Sequence, residues 1–207
     1  TDYWIPVGYP WHILNANDFL LGQHFEKIVS DKIASDPSSK KGRIRGIVEE
    51  GVKIEGNLLL EEHSIIRQGS YIQGNVCIGK NCTIGPNCHI TGNTAIGDNC
   101  QIGYSVVVEN SVIDRKCRIE PFCNISHSVL AEDILVGSGT VTMSAPMKTK
   151  TVTSVIKGET VASDRERFGA TLGGHVTIQP HAVIYPGVKI APDKVIPPGK
   201  VIRKDMM

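Results

Sequence analysis

The sequence predicts a mainly β protein built as a parallel β-helix of triangular section, with an amino-terminal helical segment. Three observations lead there. Aliphatic residues recur every six positions, turn formers fill a fixed phase between them, and aromatics are only 5% while Gly is 21 of 207 residues. The aliphatic series runs Val48, Ile54, Leu60, Ile66, Ile72, Ile78, Ile84, Ile90, Ile96, Ile102 and Val108. It slips by one residue to Ile113, Ile119 and Ile125 and once more to Leu130 and Val136. After an interruption it resumes at Leu172, Ile178, Ile184, Ile190, Ile196 and Ile202. A helix repeats about every 3.6 residues and a half-buried strand every two, so neither sustains this period. A short strand plus a tight turn does, and stacking such units buries a continuous core.

In chain order, Pro10 opens a helix well, because proline fixes φ and needs no amide partner in the first turn. Trp11, Leu14, Leu21, Phe25 and Ile28 share one helical face, which predicts an amphipathic helix over about 10–30. Ser35-Asp36-Pro37-Ser38-Ser39-Lys40-Lys41 reads as part of a linker over 35–43. The β-helix is expected over 44–207, with an inserted loop around 143–170. Its corners carry Pro86-Asn87, Pro180-His181, Pro186-Gly187, Pro192-Asp193 and Pro198-Gly199, pairs suited to a fixed φ followed by a positive one. Asn57, Asn75, Asn81, Asn87, Asn93 and Asn99 fill the same fourth position of the repeat. Three sides make an eighteen-residue coil, so Asn57, Asn75 and Asn93 are expected to stack, as are Asn81 and Asn99.

Of six Cys, Cys82, Cys88, Cys100, Cys117 and Cys123 occupy the fifth position, which faces the interior. They are expected to be buried reduced thiols acting as small hydrophobes, with Cys82, Cys100 and Cys117 in one ladder. His63, His175 and His181 sit at turns, where backbone conformation explains them. His175 and His181 lie one side apart and are not a metal pair. His89 takes the outward sixth position. His127 stands at a register slip, the one His near an irregular region. Net charge is +1, which argues against a broad nucleic-acid or anionic-membrane footprint. No apolar run approaches the ~20 residues of a membrane span, and no signal peptide is visible. The start at Thr1-Asp2-Tyr3, without Met, reads as a piece of a longer or processed protein.

The repeats resemble the hexapeptide-repeat family over roughly 44–203, and that resemblance implies a left-handed coil. Tyr3-Trp4, Val7-Gly8, Pro10-Trp11, Leu14, Ala16-Asn17 and Leu20-Leu21 resemble the segment that ends the catalytic domain of archaeal-type sugar-1-phosphate nucleotidylyltransferases. The two features together imply the carboxy-terminal part of such an enzyme. Residues 1–34 would then be the remnant of its nucleotidyltransferase domain plus a linking helix. The family's acidic residue, which helps hold a divalent cation, falls on Pro6, which offers no side-chain oxygen for Mg²⁺. Mg²⁺ is expected in the domain that precedes this segment.

Bifunctional relatives acetylate a sugar-phosphate amine from acetyl-CoA, which needs a general base. Their stretch V-P-H-F-N-Y-V-G-D-S-x-x-G-E-N-x-x-x-G-A-G-T lies without gaps on Ile119 to Thr140, coinciding at Phe122, Ser128, Glu132, Gly137, Gly139 and Thr140. The family's base His falls on Pro121, its Tyr on Asn124 and its Asp on His127. Val155-Ile156-Lys157-Gly158-Glu159 and Phe168-Gly169-Ala170 resemble the family's loop. The expected function is therefore trimer assembly and domain packing in the cytoplasm, with acetyltransferase residues lost and no cofactor needed by these residues. Sugar phosphate and nucleotide would bind the preceding domain. Two alternatives stay open. One is acetyl-CoA-dependent acetyl transfer with His127 as a rearranged base and Lys148, Lys150, Lys157, Arg165 and Arg167 on CoA or sugar phosphates. The other is a regulatory paralogue with both sites degenerate.

Overall fold

The computed structural model describes residues 4–30, 44–146 and 150–207. The linker expected over 35–43, and Lys148 in the loop, lie outside the described residues. Helix α1 spans Pro10–Ser30, as the apolar spacing requires. The remaining regular elements among the described residues are parallel strands, apart from one antiparallel hairpin.

One side of the prism is an eight-stranded parallel sheet. It pairs Ile47–Val48, Ile65–Ile66, Thr83–Ile84, Gln101–Ile102, Arg118–Ile119, Leu135–Val136, Thr177–Ile178 and Val195–Ile196 in turn. The first aliphatic of each repeat points into the shaft: Ile66, Ile72, Ile78, Ile84, Ile90, Ile119, Val136, Leu172, Ile178 and Ile184 are all buried in one continuous core. A period of six therefore does what heptads do in a coiled coil, returning each aliphatic to the axis.

The other two sides run together in the early coils. Strands Lys53–Leu60, Tyr71–Ile78 and His89–Ile96 wrap a corner without a break. Here the structure corrects the sequence reading. Asn57, Asn75 and Asn93 do not take the positive φ; Gly56, Gly74 and Gly92 do, at 134°, 90° and 71°. A Cβ on Gly74 would come within 2.8 Å of the Gly92 carbonyl oxygen, so the close stacking of coils requires glycine there. The Asn stack itself exists: Asn57 Nδ2 donates to Asn75 Oδ1 at 2.8 Å, and Asn75 Nδ2 to Asn93 Oδ1 at 2.9 Å. Asn81, Asn87 and Asn99 do take positive φ, as do His63, His175 and His181.

Coil length changes at this corner. Ile90 pairs with Val108 eighteen residues on, but Val108 pairs with Ile125 and Ile96 with Ile113, each seventeen on. The slips in the aliphatic series are these shortened corners, at Asn110 (φ 44°) and His127 (φ 48°). Leu130 pairs directly with Leu172, so the residues between Thr142 and Thr171 form an excursion from one coil. That excursion holds the hairpin Thr153–Ile156 and Glu159–Ala162, turned by Lys157 (φ 51°) and Gly158 (φ 89°). Two positive φ values in a two-residue turn match the twist of the strands they join.

Fifth-position side chains do more than fill space. Ser64 Oγ accepts the Cys82 amide at 2.9 Å, Ser70 Oγ that of Cys88, and Ser111 Oγ that of Ser128. The cysteines donate back to the next coil, Cys82 Sγ to Gly97 O at 3.0 Å and Cys123 Sγ to Gly137 O at 3.2 Å. All six thiols are free. Burial pushes Cys88 and Cys123 up to about 11 and Cys77 up to about 12. Cys100 is also raised, by its contacts with Cys117 and Cys82 and by burial. Among the described residues no helix is long and apolar enough to cross a membrane.

Candidate functional site

The shortened corner gathers the polar groups. Its two turn residues, Asn110 and His127, stack one coil apart, because each replaces the glycine that earlier coils place there. Asn110 Nδ2 lies 3.3 Å from His127 Nε2, and His127 Nδ1 lies 2.9 Å from Ser126 Oγ. An amide nitrogen only donates, so Nε2 accepts and the ring proton sits on Nδ1, donating to Ser126. The Ser126 hydroxyl donates to Glu109 Oε2 at 2.9 Å, and its oxygen lies 3.1 Å from Ser144 Oγ. His127 is only 7% exposed. Burial lowers its pKa, as do Arg165 and Arg167, while Glu109 and Asp18 act the other way.

A general base needs a lone pair facing its substrate. The one lone pair on His127 faces Asn110, and the ring is enclosed. This chemistry is that of a satisfied corner residue, held neutral.

Pro121 stands elsewhere, at the corner after Arg118–Ile119. It borders a groove of about 440 Å³ with Thr83, Gln101, Gly103, Arg118 and Glu120. The groove's two charged groups neutralise one another, Arg118 Nε lying 2.6 Å from Glu120 Oε1. Asn124, where the family's Tyr falls, is exposed at the start of a strand paired on both sides, and its amide is not a base.

The basic residues of the loop are not gathered into one cradle. Lys150 and Arg167 are exposed, and Lys157 occupies the hairpin tip. Arg165 turns away to helix α1: its Nη1 and Nη2 both donate to Asp18 Oδ2 at 3.0 Å, and Nη1 donates to Asn15 Oδ1 at 2.5 Å. Asp18 Oδ1 in turn accepts from Asn93 Nδ2 at 3.1 Å. The Asn57–Asn75–Asn93 stack thus ends on a carboxylate neutralised by the loop. Asp18, Glu109, Ser126 and Ser144 escaped sequence reasoning. The slips at Asn110 and His127 were the only signal near them. Among the described residues no group of three or more His, Cys, Asp or Glu side chains is placed to hold a metal ion.

The left-handed β-helix (LbH) domain of EIF2B subunit epsilon matches residues 55–153. The bifunctional sugar-1-phosphate nucleotidylyltransferase/acetyltransferase of Sulfurisphaera tokodaii is 35% identical over 84% of this chain and 40% of its own length. The bifunctional protein GlmU of Methanocaldococcus jannaschii is 37% identical over 85% of this chain and 39% of its own. The chain thus spans about two fifths of the curated relatives it matches. A solved UDP-N-acetylglucosamine acyltransferase shares 16% identity, covering 77% of this chain and 68% of that one at a TM-score of 0.46. Both expectations drawn from resemblance, the hexapeptide-repeat left-handed coil and the kinship with archaeal nucleotidylyltransferases, are borne out.

Proposed function

We propose, for a chain that matches the carboxy-terminal left-handed β-helix region of archaeal bifunctional sugar-1-phosphate nucleotidylyltransferases, that these residues assemble and brace a longer cytoplasmic protein. The β-helix packs side to side with two further copies as a homotrimer, and residues 1–34 join it to a preceding nucleotidyltransferase domain. That domain would unite a sugar-1-phosphate with a nucleoside triphosphate, releasing diphosphate, with Mg²⁺ bound there and not at Pro6. The observation that carries this reading is the shortened corner. His127 has both ring nitrogens engaged, and Pro121 offers no proton acceptor where relatives place their base. Sedimentation at micromolar concentration is the test. A trimer is expected, and a stable monomer would overturn the assembly role.

The bifunctional names of the relatives favour a second reading, acetyl transfer from acetyl-CoA to a sugar-phosphate amine. Lys150, Lys157 and Arg167 would then meet CoA phosphates. Such a reaction still has to find a base, and the enclosed imidazole of His127 weighs against it.

A further inference from the structure

Two segments stand outside the repeat, helix α1 and the excursion that carries the hairpin, and they meet each other. Trp11 and Leu14 of α1 are buried with Val152 and Phe168 of the excursion and Val129 of the prism wall. Trp11 meets Phe168 edge to face, with ring centroids 5.9 Å apart. Ile13, Ile156 and Val161 pack around them. This core is separate from the shaft and contains side chains from both segments in about equal part. Beside it two guanidinium nitrogens of Arg165 converge on Asp18 Oδ2, while Asp18 Oδ1 accepts from Asn93 of the third coil. The Arg165 side chain is 17% exposed and that of Asp18 is 35% exposed, so the pair is partly withdrawn from water, and each bond is charge-assisted.

Each segment also touches the prism directly, Asn17 Nδ2 donating to Asn93 O at 2.7 Å and Ser154 Oγ to Gly187 O at 2.8 Å, but the shared core around Trp11 and Phe168 and the contact of Arg165 with Asp18 join the two segments to each other. Val152, just before the hairpin, and Ile156 and Val161 within it pack in one cluster with Trp11, Leu14 and Phe168. The first half of α1 packs on both the excursion and the prism residues Val112 and Val129, while its second half lays Leu21 and Phe25 on Leu59, Cys77 and Ala95 of the prism. We propose that α1 and the excursion are one cooperative docking unit, latched by Asp18 and Arg165, so that displacing α1 frees the basic loop together with it. The helix is the described segment nearest the start of the chain. Any movement of the helix would therefore reach Lys150, Lys157, Arg165 and Arg167, of which Arg165 stands 147 positions from its partner Asp18.

Hydrogen exchange measured by mass spectrometry on the chain tests this. Asp18→Asn keeps the shape and removes the charge. Exchange is expected to rise on the order of tenfold, the size of a lost hydrogen-bonded ion contact, both in residues 10–21 and in residues 150–165. Residues 79–88, between the two strands on which α1 packs, should be unchanged. A rise confined to α1, with the hairpin as protected as before, would overturn the proposal. Phe168→Leu approaches from the other side: it must raise exchange in α1 as well as in the hairpin, and an unaltered α1 would equally refute a single unit.

Discussion

The coils before Ile96 and those after it turn the same corner by different means. In the early coils glycine stacks on glycine at positive φ, the strand continues through the bend, and the coil is eighteen residues long. In the later coils one residue is missing, the strand breaks, and the corner is occupied by Asn110 and His127. The difference shows what a single deletion does in a solenoid. Glycine lets backbones approach and leaves no side chain at the bend. Removing a residue opens room for a side chain, and the polar atoms exposed by the broken strand then need partners. Ser126, Ser128 and Thr142 supply them: Thr142 Oγ1 accepts the Ser126 amide at 2.9 Å and lies 3.0 Å from Ser128 Oγ. The regular region is rigid by sterics, the irregular one by a buried hydrogen-bond network.

The contrast can be broken on its steric side first. Gly74→Ala forces a Cβ into the Gly92 backbone and a side chain into positive φ. Its expected cost is about 2–4 kcal/mol, from left-handed strain plus the clash. Urea unfolding followed by circular dichroism reads it directly. A variant as stable as the parent would mean that the early corner does not need glycine.

The polar side comes next. His127→Ala leaves Asn110 Nδ2 without its acceptor and takes one of three partners from Ser126 Oγ, which keeps Glu109 and Ser144, at a cost of about 1–3 kcal/mol near neutral pH. It also removes a pH dependence. Burial lowers the His127 pKa below its ordinary 6.5, so the unfolded chain binds this proton more readily than the native one. The stability that the neutral ring contributes is complete above 6.5 and is lost as pH falls through the lowered native value. Unfolding midpoints for parent and variant should therefore converge on acidification. A gap that widens toward acid would contradict the neutral, Nδ1-protonated ring.

The smallest effect is expected where both regions share a device. One corner carries charges of alternating sign, Arg45, Glu62, Lys80, Asp98, Arg115 and Glu132. Arg45 meets Glu62 at 2.9 Å, Lys80 meets Glu62 at 3.2 Å and Arg115 meets Glu132 at 2.6 Å. These groups are in water, where ion pairs contribute little. Arg115→Ala and Lys80→Ala should each leave the urea midpoint within the scatter of measurement, at low and at high salt. A marked loss from either would show that the charge ladder fixes coil register.

What the sequence made legible follows from how local each cause is. The aliphatic positions, the thiol ladder and the Asn stack were readable, because a period of six places each residue relative to the axis without knowledge of any neighbour. The slips at Ile113 and Leu130 marked the altered corner for the same reason. The corner glycines were misread. Asn57, Asn75 and Asn93 hold the position that elsewhere takes positive φ, and only the recurrence of Gly56, Gly74 and Gly92 beside them hinted otherwise. Arg165 was visible as a charge, but its partner Asp18 lies on a helix whose docking no repeat encodes. Contacts between segments distant in sequence leave no periodic trace, so the site around His127 and the latch on Arg165 emerged only from the coordinates.

The claim that the prism retains its scaffold without its proton acceptor meets its most direct test in thiol release from acetyl-CoA. The chain would be incubated with glucosamine-1-phosphate or galactosamine-1-phosphate, against a blank without acetyl-CoA that accounts for its own half-buried Cys77. No CoA thiol should appear above the uncatalysed rate with either sugar. Release of CoA in step with acetylated sugar would contradict the account and restore His127, or another group in the groove beside Pro121, as a working base.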